Sequence, residues 1–160
     1  MDNLSPLEKP GQSDVWIPPP LIYVATFFVA LLLQKCLPLS ALPALLGRTV
    51  GIGFISAGIL MALWSINLFR RARTSLVPIK PATALVIEGP YRFTRNPMYL
   101  GLLSVYIGAA FLRHLLWAVL MTPVVIFAIH YLVIGKEENY LVRKFGGEFL
   151  GYKARVRRWL

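Results

Sequence analysis

The sequence predicts an all-α fold, a polytopic membrane bundle of about four transmembrane helices that closes with a C-terminal helical hairpin. Three observations carry this. Apolar residues make up 57% of the 160-residue chain and charged residues 15%, against about 45–50% and about 25% in soluble domains. The apolar residues gather into four runs. The basic residues crowd the segments that four crossings put on one side. A mean hydropathy of +0.63 agrees. This composition excludes an ordinary water-soluble globule, and also a disordered chain, which would be poor in apolar residues. One cysteine, Cys36, leaves no internal disulfide and no cysteine-rich metal centre. The two histidines stand far apart, so no metal site is expected.

Residues 1–17 are polar, hold two prolines and read as an extended N-terminal tail without the pattern of a signal peptide. The first apolar run is Pro18 to Cys36. At 1.5 Å per residue it nearly spans a hydrocarbon core of about 30 Å. Its prolines at 18, 19 and 20 are tolerable only at a helix start. Residues 37–47 carry two more prolines and a glycine, and read as a tight uncharged turn. The second run, Thr49 to Phe69, contains Gly51, Gly53, Ser56, Ala57 and Gly58. Small residues let another backbone approach, so this is the expected packing helix.

Arg70 to Arg95 is polar, basic and longer than a simple turn, a length usual for functional or disordered loops. The third run begins at Asn96 and Pro97, an expected N-cap and first helical position. It ends near Leu112, where Arg113 and His114 interrupt it. The fourth run, Leu115 to Gly135, contains Pro123, an expected kink. Helical composition continues through 136–145, and Gly146 to Leu160 is basic and aromatic. The divisions are therefore a tail (1–17), an N-terminal hairpin (18–70) and a C-terminal region (71–160).

The net charge is +10. In so apolar a chain this points to anionic membrane lipids as partners and not to nucleic acid. Apart from Lys9 in the N-terminal tail, the basic residues lie in the 70–95 loop and the 136–158 tail, with only Lys35, Arg48 and Arg113 at the edges of the opposite linkers. Positive charge marks the cytoplasmic side, so loop and tail are expected there.

Three cytoplasmic pieces could carry chemistry. In Glu88 to Gly101, Gly89 and Pro90 set a turn, and Tyr91, Arg92 and Arg95 crowd a helix N-terminus. Unpaired N–H groups and the helix dipole make such an end a berth for a carboxylate or phosphate. The same residues also suit plain anchoring at lipid headgroups. Glu137 and Glu138 sit just past the fourth run. They are either solvated charges among Lys136, Arg143 and Lys144, or carboxylates for a cationic ligand or a ribose. Phe145 to Arg157 reads as an interfacial segment on anionic lipid, or as a lid over the loop. His130, within the fourth run, reads as a packed, hydrogen-bonded residue.

Gly89, Pro90, Tyr91 and Arg92, then Arg95-Asn96-Pro97-Met98-Tyr99 and Gly101, are followed by Glu137-Glu138 and by Phe145, Gly146, Glu148 and Tyr152. This order and spacing resembles the isoprenylcysteine carboxyl methyltransferase and phospholipid methyltransferase superfamily of integral membrane enzymes, over roughly residues 75–157. The resemblance implies transfer of a methyl group from S-adenosyl-L-methionine, held on the cytoplasmic side. By position, the cofactor residues it implies are Thr83, Ala84, Leu85, Val86, Tyr91, Asn96, Pro97, Met98, Tyr99 and Glu137. The catalytic residues implied are Arg95, Asn96, Tyr99 and Glu138. Arg92 and Arg143 are candidates for substrate binding.

Two positions depart from the family pattern. Asn96 replaces a common histidine and cannot titrate. Val133 stands where isoprenylcysteine-directed members carry an arginine, so Arg92, Arg95 or Arg143 would have to supply the cation for a carboxylate acceptor. The acceptor stays open among an isoprenylcysteine-like carboxylate, a lipid amine and a thiol, reaching the site from the bilayer. A non-catalytic membrane protein that binds a lipid or small molecule on the same fold is the alternative. Either way a multi-pass protein is expected, in a bacterial or archaeal inner membrane or, in a eukaryote, an ER-type membrane.

Overall fold

The computed structural model describes residues 15–39, 44–75 and 82–160, with side chains of the second helix described from Gly47. The tail expected over 1–17 thus lies outside the described residues up to position 14, as do 40–43 of the first linker and 76–81 of the long loop. Among the described residues the fold is all helical, with one isolated bridge between Thr94 and Arg157 and no strand.

Helix α1 spans Pro19–Cys36, with Pro18 at its N-cap. The three prolines fall where the first turn has no N–H to contribute. Helix α2 runs Ala44–Arg71. It starts earlier than the expected Thr49, because nothing between Ala44 and Arg48 resists a helix once the last linker proline is passed. It closes on Arg73 in the left-handed region (φ 51°), with the Thr74 N–H donating to the Phe69 carbonyl at 3.1 Å. Both α1 and Gly47–Arg71 are long and apolar enough to cross a membrane.

Helix α3, Pro97–Leu112, is apolar but shorter. It packs on α2 through glycines. A Cβ on Gly58 would lie 2.5 Å from the Gly101 carbonyl oxygen, and one on Gly108 would lie 2.7 Å from that of Gly51. The packing role expected of α2 therefore rests on Gly51 and Gly58. Gly53 has open space, and Ser56 and Ala57 are exposed. The opposite side of α3 meets α1.

The fourth run is a broken column. Helix α4, Leu116–Leu120, gives way at Met121 to α5, Thr122–Ile129, with Pro123 in its first turn. Proline lacks the N–H that would continue α4, so the expected kink is a helix restart. A π turn, His130–Ile134, follows, in which the Gly135 N–H reaches the His130 carbonyl. Helices α6, Gly135–Phe145, and α7, Gly147–Arg155, complete the chain before a short strap, 156–160.

The core lies between α1, α3 and the α4–α5 column, around Tyr23, Tyr106, Ala110, Val125 and Ile129. Outward faces are apolar too: Leu60 is 67% exposed and Phe127 64%. Such faces are stable against lipid tails and costly against water.

Candidate functional site

One cavity of about 430 Å³ lies where α1 starts, α2 ends, α3 starts and α6 passes. All four therefore share one end of the bundle. Its volume falls in the range of small-molecule sites, about 300–1,000 Å³, and its wall is mostly apolar and aromatic.

The loop 82–86 enters this wall with its first residues tied down. The Thr83 N–H donates to Thr74 Oγ1 at 2.9 Å, and the Ala82 N–H donates to the Tyr140 hydroxyl at 2.9 Å. A 3-10 turn, Gly89–Arg92, then delivers Tyr91. Gly89 is needed there twice over: its φ is +58°, and a Cβ would sit 2.8 Å from Leu68 Cδ1. Tyr91 is buried beside Phe69, and its carbonyl accepts a 2.7 Å bond from the Tyr152 hydroxyl. Burial raises the pKa of the Tyr91 phenol well above its usual value and pushes that of Tyr152 up to about 12.

From the start of α3, the Tyr99 hydroxyl donates to Glu137 Oε1 at 2.7 Å. The Tyr99 carbonyl accepts from Tyr23 of α1 at 2.9 Å. Burial pushes the Glu137 carboxyl up to about 7, with the Tyr99 bond pulling it down and the charge of Glu138 pushing it up. Among the described residues no cation pairs with Glu137.

Glu138 differs in its partners. Its Oε1 accepts from Arg95 Nη2 at 2.8 Å and Arg158 Nε at 2.9 Å, its Oε2 accepts from Arg158 Nη2 at 2.5 Å, and Lys153 stands 3.4 Å away. Burial alone would raise its pKa, but the bonds from Arg158 and Arg95 hold it below the usual carboxylate range. One carboxylate is neutralised and the other faces the cavity with a phenol as its partner.

Of the sequence-predicted residues, Ala84, Leu85, Val86, Tyr91, Arg95, Asn96, Met98, Tyr99, Glu137 and Glu138 meet on this cavity. The others do not. Thr83 points its hydroxyl to the Arg73 carbonyl, and Pro97 is buried beneath the helix start without reaching the wall. Arg92 and Arg143 are exposed and do not line this cavity. Arg95 does line the wall, but its guanidinium is committed to Glu138 and to the Lys153 and Val156 carbonyls. Val133 is fully buried in the core.

Asn96 occupies the N-cap position without capping. Its amide donates instead to the Arg158 carbonyl at 2.9 Å, because the 156–160 strap runs beside it and offers a buried acceptor. The lid expected from the tail is thus partly wall and partly clamp. Phe149 and Tyr152 of α7 line the cavity, and the strap is stitched to residues 94–96. His130 is hydrogen-bonded, as its placement suggested: Arg158 Nη1 donates to its Nε2 at 2.6 Å.

Sequence reasoning missed Tyr140, Phe149 and Arg158, and the wall formed by Val15 and Pro18–Pro20. For Phe149 and Arg158 the aromatic-basic composition of the tail was the only signal. Pairing across 20 residues between Arg158 and Glu138 leaves no mark in one sequence.

An uncharacterized protein of Haemophilus influenzae is 40% identical over 63 residues, which is 39% of this chain and all of that protein. No solved structure matches. The phospholipid methyltransferase family matches residues 46–148, from the start of α2 into α7, so α1 and the strap fall outside the match. That stretch contains the helix-start motif and both glutamates, and this chain belongs to the phospholipid methyltransferase family, within the isoprenylcysteine and phospholipid methyltransferase superfamily.

Proposed function

We propose that this protein is an integral membrane methyltransferase that transfers the methyl group of S-adenosyl-L-methionine to a lipophilic acceptor. The observation that carries this reading is the pair Tyr99 and Glu137, facing one cavity at the helix ends. Members of the family generally use this cofactor, and the residues fit it. A carboxylate without a cationic partner among the described residues suits a group bearing an ammonium and a sulfonium, and the aromatic wall suits an adenine ring. Tyr91, Asn96, Met98, Tyr99 and the 84–86 loop would line it, and Glu137 would hold its cationic or hydroxyl groups. The cofactor supplies a methyl group on a good leaving group, so the protein's task is alignment and exclusion of water.

The charge inventory narrows the acceptor. Arg95 is the only cationic side chain on the described wall, and it is spent on Glu138. A free carboxylate acceptor would lie there unneutralised, which is costly in a largely apolar site. This favours a lipid amine or thiol over an isoprenylcysteine carboxylate. Such an acceptor must lose a proton, and Glu137 is the wall carboxylate not already neutralised. Four crossings of the bilayer, with the basic loop and tail in the cytoplasm, complete the proposal.

The test is methylation of fractionated native membranes with radiolabelled cofactor and identification of the product, beside calorimetric titration with S-adenosylhomocysteine. Labelled lipid lost in Glu137→Gln supports the reading. Binding without turnover on any lipid fraction points to a non-catalytic binder, and absence of binding overturns both.

A further inference from the structure

Glu138 is 4% exposed, yet it is the centre of a charge cluster. Arg158 grips it side-on through Nε and Nη2, and Arg95 grips it from the loop before α3. A two-point guanidinium fork fixes geometry as well as charge. Arg158 is itself held on three sides. Its Nη1 donates to His130 Nε2 at 2.6 Å, and its carbonyl accepts from Thr94 Oγ1 at 3.2 Å and Asn96 Nδ2 at 2.9 Å. The neighbouring Arg157 carbonyl accepts from the Arg95 N–H at 2.9 Å. One residue thereby joins the strap, the π turn, α6 and the start of α3: its side chain holds the π turn and α6, and its carbonyl holds residues 94 and 96.

Adjacent residues on a helix point about 100° apart. A clamp on Glu138 therefore fixes the rotation of α6 and with it the direction of Glu137. The π turn contributes to the same setting, since its wider loop rotates everything after it relative to an unbroken helix. That turn begins at His130, the residue Arg158 holds.

We propose that Arg158 is a positioning residue for this site. Carried by the 156–160 strap, it locks and neutralises Glu138, and so aims Glu137 at Tyr99 and keeps it the carboxylate available in the cavity. Its catalytic meaning rests on the methyltransferase reading, but the local claim does not. The groups around Glu137 are Tyr99 from α3, Tyr91 from the 3-10 turn and Glu138 on its own helix. Behind Glu138 stand Arg95, Lys153 and Arg158, and behind Tyr99 stands Tyr23 of α1. Tyr140 and Tyr152 complete the wall. Removing one guanidinium leaves more of the Glu138 charge uncompensated, and a like charge disfavours ionisation of its neighbour.

The experiment is pH-difference infrared spectroscopy on the full chain in lipid nanodiscs. The protonated-carboxyl band of Glu137 is identified by its loss in Glu137→Gln. In Arg158→Gln its midpoint moves upward by about half a unit or more, and in Arg158→Lys, which keeps the charge without the fork, it falls between that value and wild type. Hydrogen exchange at the Arg95 amide rises in Arg158→Gln, reporting release of the strap. A wild-type midpoint in Arg158→Gln overturns the proposal. Should that variant fail to fold, Arg158→Lys decides alone: an upward shift supports the proposal and a wild-type midpoint overturns it. Failure of wild-type protein to bind S-adenosylhomocysteine sinks the methyltransferase reading and leaves the infrared result standing.

Discussion

The Tyr99 hydroxyl reaches across the cavity to Glu137 Oε1 at 2.7 Å, joining two residues 38 positions apart. Neither is at the surface of an ordinary helix pair. Tyr99 is set by the first turn of α3 and by its bond from Tyr23, and Glu137 is set by the clamped glutamate beside it.

Removal of either partner should weaken cofactor binding. A hydrogen bond to a charged group contributes about 1.5–3 kcal/mol, which is roughly ten- to a hundredfold in affinity. Tyr99→Phe and Glu137→Gln are each expected to raise the S-adenosylhomocysteine dissociation constant by about tenfold or more. Titration calorimetry on purified protein measures it, and wild-type affinity in both variants would remove the site from this cavity.

Binding of the cationic cofactor should strengthen as pH rises through about 7, the value to which burial pushes Glu137. Below it the carboxyl is protonated and offers no charge; above it the carboxylate is available. Affinities measured from pH 6 to 8 check this, and Glu137→Gln should flatten the profile.

Stability carries the opposite sign for the two glutamates. Glu137 binds its proton more tightly in the folded state, so its contribution is present below its unfolded value near 4.5 and is lost as pH rises through about 7. Glu138 binds its proton less tightly, so its contribution is present above the ordinary carboxylate range and is lost as pH falls through its depressed value. Acid unfolding should therefore track Glu138. Glu138→Gln is expected to lower the melting temperature at neutral pH and to weaken its fall toward acid, read by thermal denaturation in detergent at several pH values.

The glycine contacts between α2 and α3 make a sharp comparison. Gly58→Val should destabilise by about 1–3 kcal/mol, because its Cβ meets the Gly101 carbonyl oxygen, backbone that cannot step aside, as well as Val105. Gly53→Ala meets nothing within 4 Å and should be neutral or slightly stabilising. Melting temperatures of the two variants decide it.

Arg92 and Arg95 should separate. Arg92 is exposed and off the wall, so Arg92→Ala should keep cofactor affinity within about twofold, the effect of a surface substitution. Arg95→Ala strips a guanidinium from buried Glu138 and frees the strap. Breaking a buried pair costs about 3–5 kcal/mol, so this variant should lose both activity and thermal stability.

The helices were legible because their causes are local. Pro18–Pro20 can only begin α1, and the apolar runs announced α1, α2 and α3 to within a few residues. The motif around Asn96 and Tyr99, and the glutamate pair, named the family before any coordinate. What stayed hidden is long-range. Asn96 looked like a cap, yet it spends its amide on a carbonyl 62 residues away. Arg92 and Arg95 looked alike as basic residues at a helix start, and only their directions tell them apart. Of the glycines on α2, Gly51 and Gly58 meet glycines of α3, and Gly53 meets nothing.

By itself the amino-acid sequence determined where the chain is apolar, where its helices begin and which family's residues it carries, since composition, helix starts and motifs act over a few neighbouring positions. Only the tertiary structure decided which glutamate stays available and which is neutralised. That choice belongs to Arg95 and Arg158, which lie 63 positions apart in the chain, and a charge is compensated by whatever the folded chain brings within a few ångströms of it.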